Sequence, residues 1–325
     1  WLDTMEDWRW MLGNWDRVLE AAQVFPGDRC FFAFSFGPFL GFWTAYESAT
    51  QRGCVCLPAG GQSTEQRLCG ILNQNAEHLF CTPTYALRLT QYAEDMGIDL
   101  SGHGLKSIIV AGETGGSIPS TRDRICSGWG NDIRVHDHYG MTEVGPVAYE
   151  KPGGQGGLRI ILDSYFAEVI NSQTLQPVKD GEQGELVLTT LGRIGCPVFR
   201  YRTGDLVEAI SGLDEMGIPT LDLIGGILGR TDDMVVVRGV NLYPSAVDAV
   251  VTRFPEIREY QVEIKSRDSM LEAKIKVECE TEIKTLLEGA LQESFSLRIP
   301  VEIMESGSLP RHEMKAKRWL KVNEN

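Results

Sequence analysis

Between residues 29 and 137, short apolar runs alternate with helix-patterned segments, and this alternation limits the fold more than any other feature. The runs are RCFFAFSF (29–36), CVCLPA (54–59), HLFCT (78–82), KSIIVAG (106–112) and IRVHD (133–137). Helices are expected between them at 39–52, 63–74, 83–96 and 118–128. One more is expected at 4–22, where Trp8, Met11, Trp15, Val18, Leu19 and Ala22 recur at helical spacing behind a Thr4 N-cap. Strands separated by helices of this length pair in parallel, with helices over both sheet faces. Ligands of such sheets sit at the carboxyl ends of the strands. The loops AGET (111–114) and YGMTE (139–143) both fall on that edge.

After residue 150 the texture changes. LRIIL (158–162), FAEVI (166–170), ELVLTTL (185–191) and PVFRYR (197–202) alternate apolar and polar residues, which predicts an antiparallel β region. Residues 211–228, rich in glycine, read as loop and linker. From Gly229 follow MVVVRG (234–239), a helix opened by Pro244, EYQVEIK (259–265), LEAKIKVEC (271–279), a helix at 282–295 and VEIM (301–304). The predicted architecture is α/β. A large domain, 1–228, carries a parallel βαβ sheet plus an antiparallel β region, and a small α+β C-terminal lid domain, 229–325, follows it.

Composition narrows the function. The net charge of −14 argues against a general binder of nucleic acid or of an anionic membrane. No run approaches the roughly eighteen apolar residues of a membrane span, and FFAFSFGPFLGFW is broken by Ser35, Gly37 and Pro38. No signal-peptide pattern is present. The eight cysteines lack CxxC pairs and read as reduced core thiols of a cytoplasmic protein. Cys54 and Cys56 would face one side of a strand, yet two thiols without partners make no convincing zinc site. The chain begins at Trp1, almost directly before a helix, and reads as a piece of something longer.

Candidate chemistry starts in VHDHYGMTEVGPV (135–147). Tyr139 offers a stacking face, Gly140 a close backbone approach, Thr142 a hydroxyl and Glu143 a hard oxygen donor for a cation such as Mg2+. The set suits a nucleotide; a solvated Tyr-Gly turn is the competing reading. In YRTGDL (201–206) Asp205 could accept from both hydroxyls of a ribose, or be an acidic turn between strands. GRTDDMVVVRGVNLYP (229–244) places Arg230 and two acids at the domain boundary. LPRHEMKAKR (309–318) places Lys315 and Lys317 near the end, where a solvated basic tail is the alternative. Phe34, Phe36, Phe39, Phe42 and Trp43 could line an aromatic slot, although core packing is favoured for them. Tyr85 is a candidate pocket wall, and His138 either reaches a reacting carboxylate or is structural.

In their order and spacing, YGMTE, YRTGDL and GRTDDMVVVRGVN resemble the adenylate-forming superfamily, the acyl-CoA synthetases and their relatives, and within it the phenylacetate–CoA ligase branch. The resemblance covers essentially the whole chain. It implies a two-step, AMP-forming ligase that uses ATP, Mg2+ and coenzyme A. A carboxylic acid, aromatic and phenylacetate-like, is converted to an acyl-adenylate and then to a thioester. It further implies that Ala111, Gly112 and Glu113 form the adenine-side loop. Tyr139 would pack on adenine, with Gly140 and Met141 completing the nucleotide loop, Thr142 at the α-phosphate and Glu143 at Mg2+. Asp205 would bind the ribose hydroxyls, reinforced by Arg230. Asp232 would be the hinge, Lys315 the adenylation lysine, and Arg238 and Gly239 the residues facing the pantetheine arm.

The chain departs from the pattern in three places. Met314 stands where a glycine usually precedes the lysine, and 207–228 lacks the cysteine-bearing stretch of some relatives, so no structural zinc is expected. The family's phosphate loop would fall just upstream of Trp1. The expected partners are a small carboxylic acid and coenzyme A or a carrier protein, with neither nucleic acid nor membrane; a homodimer is compatible. Transfer to a carrier-protein thiol and a non-catalytic nucleotide- or acyl-binding relative are the competing functions.

Overall fold

The computed structural model describes residues 2–37, 39–130, 132–151, 156–267, 270–311 and 317–322. The chain divides into two compact units, residues 1–228 and 229–325.

In the first unit, α1 (Met5–Ala21) is opened by a capping box in which Thr4 and Asp7 satisfy each other's backbone N–H groups. There follow β1 (Arg29–Phe32), α2 (Leu40–Gln51), β2 (Val55–Pro58), α3 (Thr64–Asn73) and β3 (His78–Cys81). Next come α4 (Pro83–Met96), β4 (Ser107–Ala111), α5 (Pro119–Trp129) and β5 (Arg134–Met141). These strands pair in parallel in the order β2-β1-β3-β4-β5. Alternate strand residues serve opposite faces. Phe31, Leu79, Ile108, Val110 and Val135 join the core that includes residues of α3, α4 and α5. Cys30, Phe32, Phe80 and Ile109 join the core built with α1 and α2.

β5 is longer than its sequence pattern suggests. It continues through Tyr139, Gly140 and Met141, residues expected to form a loop, because beyond its parallel partner it acquires an antiparallel one, β6 (Gly145–Tyr149). The sheet then runs antiparallel through β7 (Leu158–Ile160), β11 (Pro219–Leu223), β10 (Tyr201–Leu213), β9 (Gln183–Thr190) and β8 (Tyr165–Ile170). YRTGDL is therefore strand, not a turn between strands. The stretch 211–228, expected as loop and linker, contributes the end of β10 and all of β11. The Thr-Gly pair misled because β10 accommodates it as an irregularity of the ladder, the register with β9 shifting between Arg202 and Leu206.

The second unit comprises β12 (Gly229–Arg230), β13 (Val235–Val237), β14 (Val240–Leu242), α6 (Pro244–Val251), β15 (Glu259–Arg267), β16 (Met270–Glu278), α7 (Lys284–Phe295), β17 (Val301–Met304) and β18 (Trp319–Val322). β13 and β14 form a hairpin, and a four-stranded sheet runs β17-β16-β15-β18. Its core gathers Val247, Val251, Val262, Ile275, Leu287 and Ile299. β18 follows the basic run 309–318 and carried no strand expectation.

The aromatic run before α2 grades from core to surface. Phe32 is fully buried among Phe34, Phe36, Tyr46 and Phe80, and Phe34 stacks on Phe42 at 4.0 Å. Phe39 and Trp43 are 41% and 47% exposed. Phe32→Ala should therefore cost roughly 3–5 kcal/mol in chemical denaturation, while Phe39→Ala costs under about 1 kcal/mol. Equal losses would place Phe39 inside the same core.

Candidate active site

The site is assembled where β5 leaves the parallel sheet. Ala111 ends β4 opposite His138 of β5, so the AGET stretch and Tyr139 lie at the same strand ends. Gly112 takes φ +94°, which turns the chain away from β4 at no steric cost. The Glu113 carboxylate accepts the Thr84 N–H at 2.8 Å, in the first turn of α4. A carboxylate there meets both an unpaired donor and the positive end of the helix dipole.

Tyr139 and Asp205, 66 residues apart in the chain, meet directly. The phenol donates to the Asp205 carboxylate at 2.6 Å. Both sit at ladder irregularities: β5 slips against β6 between Tyr139 and Gly140, and β10 slips against β9 around Asp205. Within the second slip Gly204 has φ +75°, and the Thr203 hydroxyl accepts the Asp205 N–H at 3.0 Å while donating to the Leu186 carbonyl at 2.8 Å. The slip re-aims Asp205, which is buried, toward β5. Gly140 is required for a different reason: a Cβ there would lie 2.8 Å from the Gly145 carbonyl oxygen across the hairpin.

Thr142, Glu143 and Val144 form the connection between β5 and β6, closed by Gly145 at φ +94°. Among the described residues, neither the Thr142 hydroxyl nor the Glu143 carboxylate takes a hydrogen bond within the protein. Both are half-buried oxygen groups on a turn whose carbonyls are already engaged. No cluster of three or more His, Cys, Asp or Glu side chains suited to a metal exists among the described residues. A lone carboxylate fits Mg2+, which keeps waters and shares substrate phosphates, better than a metal needing a full protein cage.

The other side chains of β5 are dry. His138 packs its ring against Trp15 at 4.1 Å, and its Nδ1 donates to the Ala148 carbonyl at 2.9 Å. Burial pushes it down to about 4, so it is neutral near pH 7. The structure thus favours a packed histidine over one poised at a substrate. Burial, and then the nearby Arg134, likewise push His136 down to about 4. On the opposite face Asp137 accepts from the Ser117 hydroxyl at 2.5 Å. Its backbone N–H donates to Glu150, which Arg122 holds at 2.8 and 2.9 Å. Burial, opposed by Ser117 and reinforced by the Glu150 charge, raises Asp137 to about 7. Tyr85, the candidate wall, is a core residue whose hydroxyl contacts Thr64 at 3.3 Å beneath the Arg67 guanidinium.

In the second unit Arg230 grips Asp232 through two bonds of 2.7 and 2.9 Å. Arg238 and Gly239 are the two central residues of the β13–β14 hairpin, at φ +49° and +84°, with Val237 opposite Val240. That is the geometry of a type I′ turn, which an arginine rarely enters. Arg238 is held there by Glu272 at 2.6 Å. Lys315 lies outside the described residues. Sequence reasoning missed Arg193, Asp3, Ser117 and Tyr165, whose contacts join segments far apart in the chain and leave no local pattern.

Residues 8–192 match the AMP-binding enzyme family, and residues 239–321 match the AMP-binding enzyme C-terminal domain. The phenylacetate–coenzyme A ligase of Escherichia coli is 32% identical over 94% of this chain and 72% of its own length. That of Thermus thermophilus is 33% identical over 81% of this chain, but only 58% of its own length is covered. Among solved structures, a 2-hydroxyisobutyryl-CoA ligase in its postadenylation state with 2-HIB-AMP superposes with a TM-score of 0.91. It is 26% identical, over 97% of this chain and 70% of that one. The same ligase with 2-HIB-AMP and CoA in the thioesterification state gives 0.67 at 26% identity, over 98% and 70%. No helix among the described residues is long and apolar enough to cross a membrane.

Asp137 yields a pH test. An acid whose folded pKa is raised contributes stability below its unfolded value, near 4, and loses it as pH rises through about 7. Asp137→Asn, which mimics the protonated acid, should match the parent near pH 4 and be the more stable at pH 8.5, by up to about 4 kcal/mol. Parallel stability profiles from pH 4 to 9 would show that Asp137 is ionised throughout.

Proposed function

This chain belongs to the AMP-binding enzyme family, and from that we propose that it activates a small carboxylic acid with ATP and transfers the acyl group to coenzyme A. One observation carries the reading for this chain: Tyr139 and Asp205 are hydrogen-bonded beside a turn whose hydroxyl and carboxylate take no partner among the described residues. Tyr139 supplies a face for adenine, and Asp205, released from the phenol, accepts from the ribose hydroxyls. Ala111 and Gly112 border the base, and Glu113 secures that loop to α4. Thr142 donates to the α-phosphate. Glu143 would hold Mg2+, which when bound supplies charge neutralisation on the phosphates.

The substrate carboxylate is the nucleophile. Its oxygen bonds to the α-phosphorus while the bond to pyrophosphate breaks; the thiol sulfur then attacks the acyl carbon and AMP leaves. No Ser-His-Asp set is needed, and the work of the protein is positioning and electrostatics. In the second unit, Asp232 is assigned to the hinge, Arg230 to the ribose, Arg238 and Gly239 to the pantetheine side, and Lys315 to stabilisation of the adenylation transition state. An aromatic acid, phenylacetate-like, is the substrate class, in keeping with the open edge of the aromatic cluster at Phe39 and Trp43. Free coenzyme A is the assigned acceptor; thioester formed only on a carrier protein would replace it.

The test is acid-dependent ATP–pyrophosphate exchange with aryl and short-chain acids, alongside AMP binding by calorimetry. Asp205→Ala should weaken AMP binding by roughly 10- to 100-fold, the loss expected when a charge-assisted pair of hydrogen bonds is removed. Lys315→Ala should cut exchange while sparing thioester formation from a supplied acyl-adenylate. AMP binding that is indifferent to Asp205, or equal loss of both half-reactions with Lys315→Ala, would sink the respective assignment.

A further inference from the structure

The backbone of the Thr142–Val144 turn is held by two buried side chains from elsewhere in the chain. The Arg193 guanidinium donates from one nitrogen to the carbonyls of Thr142 and Glu143, at 2.9 and 2.8 Å. The Tyr165 hydroxyl donates to the next carbonyl, that of Val144, at 2.8 Å. All three carbonyls of the connection are thus taken from behind. Arg193 has no exposed side-chain surface, and Tyr165 is fully buried on β8.

The remaining guanidinium nitrogens are spent on Asp3, just before α1, which accepts bidentately at 2.6 and 2.8 Å. The loop carrying Arg193 is moulded onto α1 by two glycines. A Cβ on Gly192 would sit 2.2 Å from Trp10 Nε1, and one on Gly195 would sit 2.3 Å from an Asp7 carboxylate oxygen. The Gly195 N–H donates to that carboxylate at 3.0 Å, and Trp10 packs on Tyr165 at 5.3 Å. The start of α1, the β9–β10 loop and β8 therefore converge on one three-residue turn. A buried arginine is costly to desolvate, and such a residue is strongly placed only when every donor is used.

We propose that Arg193, braced by Asp3, and Tyr165 are positioning residues that set the Thr142 hydroxyl and the Glu143 carboxylate at their working geometry. The inference rests on the reading of Thr142 and Glu143 given above. Neither clamp residue touches substrate; each acts through the carbonyls of the turn. With the backbone acceptors occupied from behind, the Thr142 and Glu143 side chains are left to face the phosphates and the cation. Lysine cannot replace Arg193, because one ammonium cannot span two carbonyls and a bidentate carboxylate.

The test compares Arg193→Lys, Tyr165→Phe and Thr142→Ala in the full chain. Three quantities are read: AMP binding by calorimetry, kcat of acid-dependent ATP–pyrophosphate exchange, and the Mg2+ concentration giving half-maximal exchange. Arg193→Lys should leave AMP affinity within about twofold while lowering kcat by roughly 10- to 100-fold and raising the Mg2+ requirement, the usual effect of losing a support behind a metal or catalytic group. Tyr165→Phe, which removes one oxygen and keeps the packed ring, should shift the same two quantities less. It carries the test alone if Arg193→Lys does not fold. If Thr142→Ala abolishes exchange while Tyr165→Phe and a folded Arg193→Lys leave kcat and Mg2+ requirement unchanged, the positioning role is overturned and the turn holds its own shape. Exchange unaffected by Thr142→Ala would overturn the assignment of the turn itself, and the clamp with it.

Discussion

Strand β5 belongs to two ladders of opposite sense, and the candidate site depends on that change. One edge of it pairs in parallel with β4, from Arg134 to His138; the other pairs antiparallel with β6, from His138 to Met141. A parallel strand must be followed by a crossover, whereas an antiparallel one can turn back within a few residues. The switch therefore places a tight turn, Thr142 to Val144, at the carboxyl edge where a parallel sheet collects its ligands. It also brings the antiparallel strands alongside, so that Asp205 of β10 reaches Tyr139. Without β6, the end of β5 would be an open strand edge and these groups would have no common frame.

Irregular backbone, rather than regular ladder, carries the candidate site. Asp205 and Tyr139 both stand at register slips, and Gly112 and Gly204 take left-handed conformations beside functional groups. Such backbone persists only when its surroundings hold it. Here they do: Thr203 bridges Asp205 to the Leu186 carbonyl, Glu113 secures its loop to α4, and Arg193 and Tyr165 take the carbonyls of the turn. In the second unit the same principle holds at the Arg238–Gly239 turn, where Glu272 secures an arginine at positive φ.

This division explains what the sequence could and could not disclose. The parallel half, α4 above all, and β17 of the second unit were legible nearly residue by residue, because apolar periodicity and N-cap chemistry are local signals. Tyr139, Thr142, Glu143 and Asp205 stood out in the sequence as candidates, though the strand setting of Tyr139 and Asp205 did not. Gly140 and Gly204 look like loop residues when the partner strand cannot be seen. Arg193 was illegible altogether: an arginine between two glycines reads as an exposed turn, and only the fold shows Asp3, Trp10 and Asp7 closing around it. Phe34 and its neighbours sat between the two expectations, since the cluster begins in the core and ends at the surface.

The ionisation states along β5 bear on what kind of catalysis the site can support. His136 and His138 face the α1–α2 core, and burial keeps both neutral far below physiological pH. Among the described residues neither ring nitrogen of His136 has a hydrogen-bond partner, so it sits as a packed, uncharged ring. On the other face burial, reinforced by the charge of Glu150, raises Asp137 to about 7. The two histidines are thus held uncharged, while Asp137, on the opposite face, is committed to Ser117. Neither histidine is therefore suited to act as a general base near neutrality. In the proposed reaction the attacking carboxylate is already ionised and needs no base. For such chemistry two buried, uncharged histidines are an advantage, because they leave the field at the turn to Thr142 and Glu143.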